Sequence, residues 1–503
     1  MTDKFEIHGL CEPRFELVKN VFTQNFEEGM EVGASFAVTI NGKFVVDLWG
    51  GYKDIEKTIP WDKDTICNVW STTKVPTVLC TMMCVDRGLL DLDEKVAKYW
   101  PEFAQNGKEN ITVRQILSHT SGLAGIEERI GFVKTLYDWD KYVSLLAAQK
   151  PWWEPGTQSG YHAVTHGYLL GELVRRVTGR TLGTFFKKEV ADPLNIDFHI
   201  GLAEEHAPRV SKLISDPPII ENLIGFYKVV FTIANNSELV KKEIQNLEKK
   251  IMFDYGDEDQ FNIIISNGKM EVNKGKIDNS DCTFTTSKDR AGVMNWIFSN
   301  VDEESDYVSK YLKIEGKSEV TKRIKSLFEL VATEARRLGP VVIKLGLLEF
   351  AMIRDPSGDR EWQAAEIPAA NGHGNARSVT KIASIIACEG EFEGKRVISK
   401  NIVEKIVEEQ IYGIDLALQI PVSFGLGVGL PHKHRPSPNP RTCWWAGGGN
   451  SIIRMDLDDH IGFGYVMNHM RVQPLKETAA NLYQSDTRAN RLVKAVYESL
   501  GLI

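Results

Sequence analysis

The chain has 503 residues, 43% hydrophobic and 25% charged, with eleven tryptophans and a net charge of −8. That length exceeds one ordinary core, so two or more domains are expected, and the composition excludes collagen-like and disordered classes. A mildly acidic balance disfavours nucleic acid or anionic membrane as the main partner. The seven cysteines are odd in number and spread without a C-x-x-C pair, which suits reduced thiols better than a disulfide scaffold. The first six residues carry no basic region leading into an apolar stretch, so no signal peptide is expected. Nor is there an 18-residue apolar run. The expectation is a soluble, cytoplasmic protein without a membrane span.

In chain order, residues 34–48 form two β-branched, aromatic runs around Asn41-Gly42, a strong hairpin signal. Ser71 precedes an apolar segment, 75–84, that suits a buried helix. Residues 111–117 predict a short helix capped by Thr112. Residues 160–177 predict a helix starting just after Tyr161, with Leu169, Leu170, Leu173 and Val177 as its apolar stripe.

From about residue 219 the texture shifts to Lys, Glu, Asn and Ile. The pattern there predicts a helix at about 237–250, strands across 251–286 with a hairpin at Ser266-Asn267-Gly268, and a helix at 288–299. A strand near 311–315 and a closing helix at 319–331 complete it. This suffices for a separate α+β unit, and only Trp296 of the tryptophans falls inside it. The division expected is 1–217 with 333–503 as one domain, and 218–332 as an insertion. Beyond it, 425–429 has a strand signature, 442–456 and 461–467 predict two neighbouring strands, and 490–500 a terminal helix.

A serine hydroxyl becomes a useful nucleophile only when a base takes its proton. On a helix, residues three apart share a face at about 5–6 Å, so S-x-x-K can bring a lysine to a serine. To act as base, Lys74 needs its pKa brought down from about 10.4, which burial can supply. Three such tetrads occur: Ser71–Lys74, Ser266–Lys269 and Ser378–Lys381. Ser266 stands at a hairpin tip, with no helix to set the geometry. Ser378 precedes a plausible helix, so spacing alone does not dismiss it. His432-Lys-His434 lies in a Pro-rich loop without partner ligands and does not predict a metal site. His162 and His166 flank Tyr161, yet no G-x-S-x-G elbow accompanies them.

Trp70-Ser71-Thr72-Thr73-Lys74, residues 111–123 (ITVRQILSHTSGL), Tyr161-His-Ala-Val-Thr-His-Gly167 and Trp445-Ala-Gly-Gly-Gly-Asn-Ser451 follow the order of the class C β-lactamase-like serine hydrolases. They resemble most its esterase branch, the family VIII carboxylesterases. Residues 369–378 are similar to that family too, which makes Ser378 part of a structural helix. The resemblance covers about 1–217 and 333–503. It implies an α+β fold, with an antiparallel sheet flanked by helices. It implies Ser71, Lys74 and Tyr161 as catalytic residues, the N–H groups of Ser71 and Gly448 as the oxyanion hole, and Trp445 and Gly447 lining the substrate pocket. His119 is taken as structural. No metal or organic cofactor is implied.

Two positions depart from the lactamase pattern. Ala163 replaces the asparagine of Y-x-N, and Trp445-Ala446-Gly447 replaces K-T-G, removing a cation that would pair with a substrate carboxylate. Both changes point to neutral small-molecule esters as substrate. β-Lactamase or DD-peptidase activity, and a lipid carrier on a degenerate hydrolase scaffold, are the alternatives. Within 218–332, the strand–turn–strand at 253–275, the D-x-T strand at 281–286 and the segment 311–316 resemble the sterol carrier protein type 2 fold. That resemblance implies a lipid or sterol ligand; a homo-oligomer is left open.

Overall fold

The computed structural model describes residues 5–127, 132–216, 220–256, 259–286, 312–341, 343–344, 356–471 and 487–503. Its largest sheet has six antiparallel strands, in the order Ile7–Cys11, Lys43–Gly51, Gly33–Ile40, Ile461–Met467, Ile452–Asp456 and Thr442–Ala446. The hairpin joining Gly33–Ile40 to Lys43–Gly51 turns on Asn41 and Gly42, both at positive φ (50° and 73°). These are the conformations a two-residue turn matching strand twist demands. The period-2 alternation of a strand then divides its residues between two cores. Ala37 faces the larger core and the helix Ala376–Ala387 lies on that side, while Phe36 and Val38 face Phe22, Phe26 and Leu492 of the helices Glu16–Glu27 and Thr487–Leu500.

On the latter side Arg488 and Glu31 are wholly buried and pair at 3.0 Å. Tyr465 donates its hydroxyl to the same carboxylate. Arg488 also donates to Gly449 O at 3.2 Å, tying the terminal helix to the turn after the Thr442–Ala446 strand. Removing one partner of such a pair strands a buried charge and costs about 3–5 kcal/mol.

The larger core is built around the helix Lys74–Asp86, whose residues from Lys74 to Cys84 are all buried. The helix Thr165–Thr178 packs on it, with Leu169, Leu170 and Leu173 buried and Val177 half-buried. It starts at Thr165, later than the pattern predicts, because residues 160–162 spend their amides on other partners. The short helix Val113–Leu117 has the predicted Thr112 cap, in a capping box completed by Gln115. Such a cap contributes about 1 kcal/mol.

Other differences have local causes. Residues 442–456 form two strands, Thr442–Ala446 and Ile452–Asp456, broken by the Gly448–Asn450 turn. The regular strand Pro421–Phe424 stops before the glycine run, and Gly429 pairs with Trp444 as an isolated bridge. The terminal helix spans Thr487–Leu500.

Residues between Leu223 and Ile343 build a second, distinct core. Its five-stranded sheet runs Lys313–Gly316, Cys282–Thr285, Lys249–Asp254, Gln260–Ser266, Lys269–Lys274. Cys282–Thr285 lies parallel to Lys249–Asp254, and the other pairings are antiparallel. Asn267 and Gly268 make the predicted hairpin turn at φ 50° and 67°. Among the described residues its helices are Ile220–Ala234, which the pattern missed, Glu238–Ile244, shorter than predicted because the strand at Lys249 follows, and Ser318–Leu338. That last helix runs past residue 332, and Ala335 and Ile343 join the same core. The helix predicted at 288–299, with Trp296, lies outside the described residues. Among the described residues no helix is long and apolar enough to cross a membrane.

Candidate active site

Ser71 lies in a single 3-10 turn, Trp70–Thr73, that runs directly into the Lys74–Asp86 helix. In a 3-10 turn residues i and i+3 eclipse one another, and Lys74 Nζ accordingly reaches Ser71 Oγ at 3.0 Å. The turn starts under strain: Trp70 sits at φ 46°, a conformation that costs a bulky residue about 1–3 kcal/mol. Thr73 Oγ1 donates to Trp70 O at 2.5 Å, and the Trp362 ring packs 5.5 Å from that of Trp70.

Tyr161 lies in the irregular stretch before the Thr165–Thr178 helix. Its hydroxyl donates to Ser71 Oγ at 2.7 Å. Trp445 and His119 hold the phenol ring, with centroids 5.2 and 5.3 Å away. The three predicted catalytic side chains therefore meet at one oxygen. Lys74 is fully buried and donates also to Ala163 O (2.5 Å) and Ala369 O (3.0 Å), with Nζ 4.8 Å from the Tyr161 ring centroid. Two carbonyls and a ring face thus surround Nζ. With Tyr161 and Lys74 both donating to Ser71 Oγ, one of them must first release its own proton to accept that of the serine.

Three imidazoles, His119, His162 and His166, crowd behind this group. Burial, first of all, holds His119 and His166 well below the ordinary range, with neighbouring imidazoles and Lys74 adding to it. Burial brings His162 down to about 4 despite its bond to Gly160 O. Neutral at pH 7, they add no positive charge beside Ser71. His119 Nδ1 accepts from the His162 N–H at 3.2 Å, and among the described residues its Nε2 has no hydrogen-bond partner.

The Thr442–Ala446 strand ends beside the nucleophile. Ser451 Oγ donates to Val69 O at 2.7 Å and lies 3.0 Å from Thr72 Oγ1. A side chain at Gly447 would put its Cβ 2.0 Å from Val69 O, so only glycine permits this approach. Gly447 donates its N–H to Ser451 O. Gly448, one residue on, opens the turn, and its Cα carries no side chain against the Trp70 ring (3.1 Å to an added Cβ). Trp445 is buried, packed among Tyr161, His119, Phe424 and Trp444, and its Nε1 has no hydrogen-bond partner among the described residues. It forms the wall behind Tyr161.

The competing tetrads have other partners. Ser378 closes a capping box with Asn375, and Lys381 turns away to the carbonyls of Leu194 and Asn195. Ser266 pairs with Lys269 in the backbone ladder of a hairpin.

The model of the Beta-lactamase family matches residues 22–226, the stretch that contains Ser71, Lys74 and Tyr161. The chain contains a β-lactamase-family domain. Its architecture is the β-lactamase and penicillin-binding-protein fold, an antiparallel sheet flanked by helices. The solved structure of a family VIII carboxylesterase superimposes with TM-score 0.67 at 29% identity, covering 98% of this chain and 100% of the other. Among curated proteins, Esterase/beta-lactamase LipL of Mycobacterium tuberculosis is 37% identical over 220 residues, 43% of this chain and 51% of LipL. Esterase EstB of Burkholderia gladioli is 30% identical over 192 residues, 35% of this chain and 48% of EstB. The chain thus spans about half the length of the curated relatives it matches.

The family pattern led to Ser71, Lys74, Tyr161 and Trp445. It did not lead to the carbonyls of Ala163 and Ala369, the left-handed Trp70, or Asp415, whose carboxylate touches the Tyr161 backbone. Ala369 opens the 369–378 segment that resembles the family, which was the one signal for it. Asp415 sits in no motif.

Proposed function

We propose that this chain is a serine esterase that hydrolyses neutral carboxylic esters through an acyl-enzyme on Ser71. The observation carrying this reading is the meeting of Lys74 Nζ and Tyr161 O–H on Ser71 Oγ, at 3.0 and 2.7 Å. Once the Tyr161–Lys74 pair has released one proton to solvent, Ser71 Oγ attacks the ester carbonyl and its own proton passes to that pair. The N–H groups of Ser71 and Gly448 hold the oxyanion; each such donor is worth about a hundred- to a thousand-fold in rate. Tyr161 then protonates the leaving alkoxide, and water enters to release the acid by the reverse relay. The intact contact set supports a catalyst over a degenerate scaffold. The names of LipL and EstB and the carboxylesterase likeness support the same class of reaction.

Trp445 and Ala163 stand where a lactamase carries a lysine and an asparagine, and this favours esters over β-lactams. A charge-assisted contact contributes about 1.5–3 kcal/mol, so its loss should favour p-nitrophenyl butyrate over nitrocefin in kcat/KM by about 10- to 100-fold. Equal turnover of the two would favour the lactamase reading. The cysteine pattern supports a cytoplasmic location.

We further propose that 218–332 is inserted between the two hydrolase parts, 1–217 and 333–503, as a sterol carrier-like unit holding an acyl chain or sterol. Its separate core, with Phe253, Phe261 and Phe284 stacked in the interior, supports this. The full chain should bind a fluorescent fatty acid saturably, with displacement by unlabelled fatty acid, and the Ser71→Ala variant should bind it equally well. Absence of saturable binding contradicts a lipid ligand.

A further inference from the structure

We propose that Asp415 is a positioning residue that holds Tyr161 in register with Ser71; this rests on the role given to Tyr161 above. Asp415 lies in the turn between the strands Ile411–Ile414 and Pro421–Phe424 and is wholly buried. Its Oδ1 accepts three N–H groups: Ala417 and Leu418 at 2.9 Å, and Tyr161 at 3.0 Å. The first two close its own turn and would do so in any loop of this shape. The third crosses 254 residues of sequence. Next to it, the Leu416 N–H donates to Ser159 O at 2.9 Å, so two adjacent residues of this turn grip 159–161.

The grip matters because the stretch before Thr165 has no helix or strand to fix it. Its course is set by the partners of consecutive amides. Gly160 N–H goes to His119 O (3.0 Å), Tyr161 N–H to Asp415 Oδ1, and His162 N–H to His119 Nδ1. Asp415 supplies the contact at the residue whose hydroxyl reaches the nucleophile. Among the described residues no cation pairs with Asp415, and its Oδ2 has no hydrogen-bond partner. Burying an acid group with one oxygen left without a partner carries a cost that closing a turn does not require. Orientation of a reacting group is worth this cost, since a misplacement of about 1 Å lowers rates about a hundredfold.

Asp415→Ala should lower kcat by about 10- to 100-fold with KM little changed, and Asp415→Asn, whose amide oxygen can still accept from Tyr161, should recover most of it. In a Tyr161→Phe background, Asp415→Ala should lower kcat no further, because the hydroxyl it positions is gone. An equal fold-loss in both backgrounds would overturn the inference and leave the role of Tyr161 standing. Parental kcat in Tyr161→Phe alone would overturn both. If the alanine variant fails to fold, Asp415→Ser, whose hydroxyl ends one bond short of Oδ1, carries the same comparison in both backgrounds.

Discussion

Ser71→Ala is expected to remove ester turnover, with kcat for p-nitrophenyl butyrate falling by about a million-fold, the scale seen when a serine hydrolase loses its nucleophile. The size of the effect follows from the geometry. Lys74 and Tyr161 both aim at the same Oγ, so removing that atom leaves the relay with nothing to act on. What would remain is binding and the oxyanion amides. The fold should be untouched, since the turn that carries Ser71 is held by Thr72, Thr73 and Ser451 and not by the serine hydroxyl. A thermal melt of the variant that overlays the parent, together with lost turnover, is the expected pair of results. Substantial hydrolysis by Ser71→Ala would mean that the chemistry runs elsewhere.

The second large effect is on stability against acid. His119, His162, His166 and His373 are fully buried. Burial above all depresses each, to about 4 in His162 and about 3 in His373, while His119 and His166 fall well below the ordinary value. In the unfolded chain all four titrate near 6.5. Between pH 6.5 and about 4 the unfolded chain therefore binds protons that the folded one refuses, up to four of them, and stability falls as pH falls. The stabilisation is fully present above pH 6.5. His162 alone loses about 3 kcal/mol once the pH is below its folded value. Urea midpoints measured from pH 7.5 to 4.5 should stay level down to about 6.5 and then drop steeply. A flat profile across that range would show that these imidazoles are not buried neutral.

How much of this could be read from residues alone depended on the range of the interaction. Asn41-Gly42, Thr112 with Gln115, and the apolar run after Lys74 are governed by neighbours within a few positions, and the fold realises each of them. Ser71 needed family context to separate it from Ser266 and Ser378. Tyr161 did too, because its helix starts at Thr165, three residues later than the pattern suggested. The rest is tertiary. The carbonyl of Ala369 meets Lys74 across 295 residues, and Asp415 meets Tyr161 across 254. Neither leaves a periodic trace. The break of 442–456 at Gly448 was hidden for a related reason. Three glycines have no hydropathy to signal a turn; the approach of Val69 O demands the first, and a φ of 73° favours glycine at the third.

The most direct test of the account is to label the protein with a fluorophosphonate and map the modified peptide by mass spectrometry. One adduct is expected, on Ser71, formed in step with the loss of ester hydrolysis and slowed by prior exposure to substrate. An adduct on another serine, or full loss of hydrolysis with Ser71 unmodified, would contradict it.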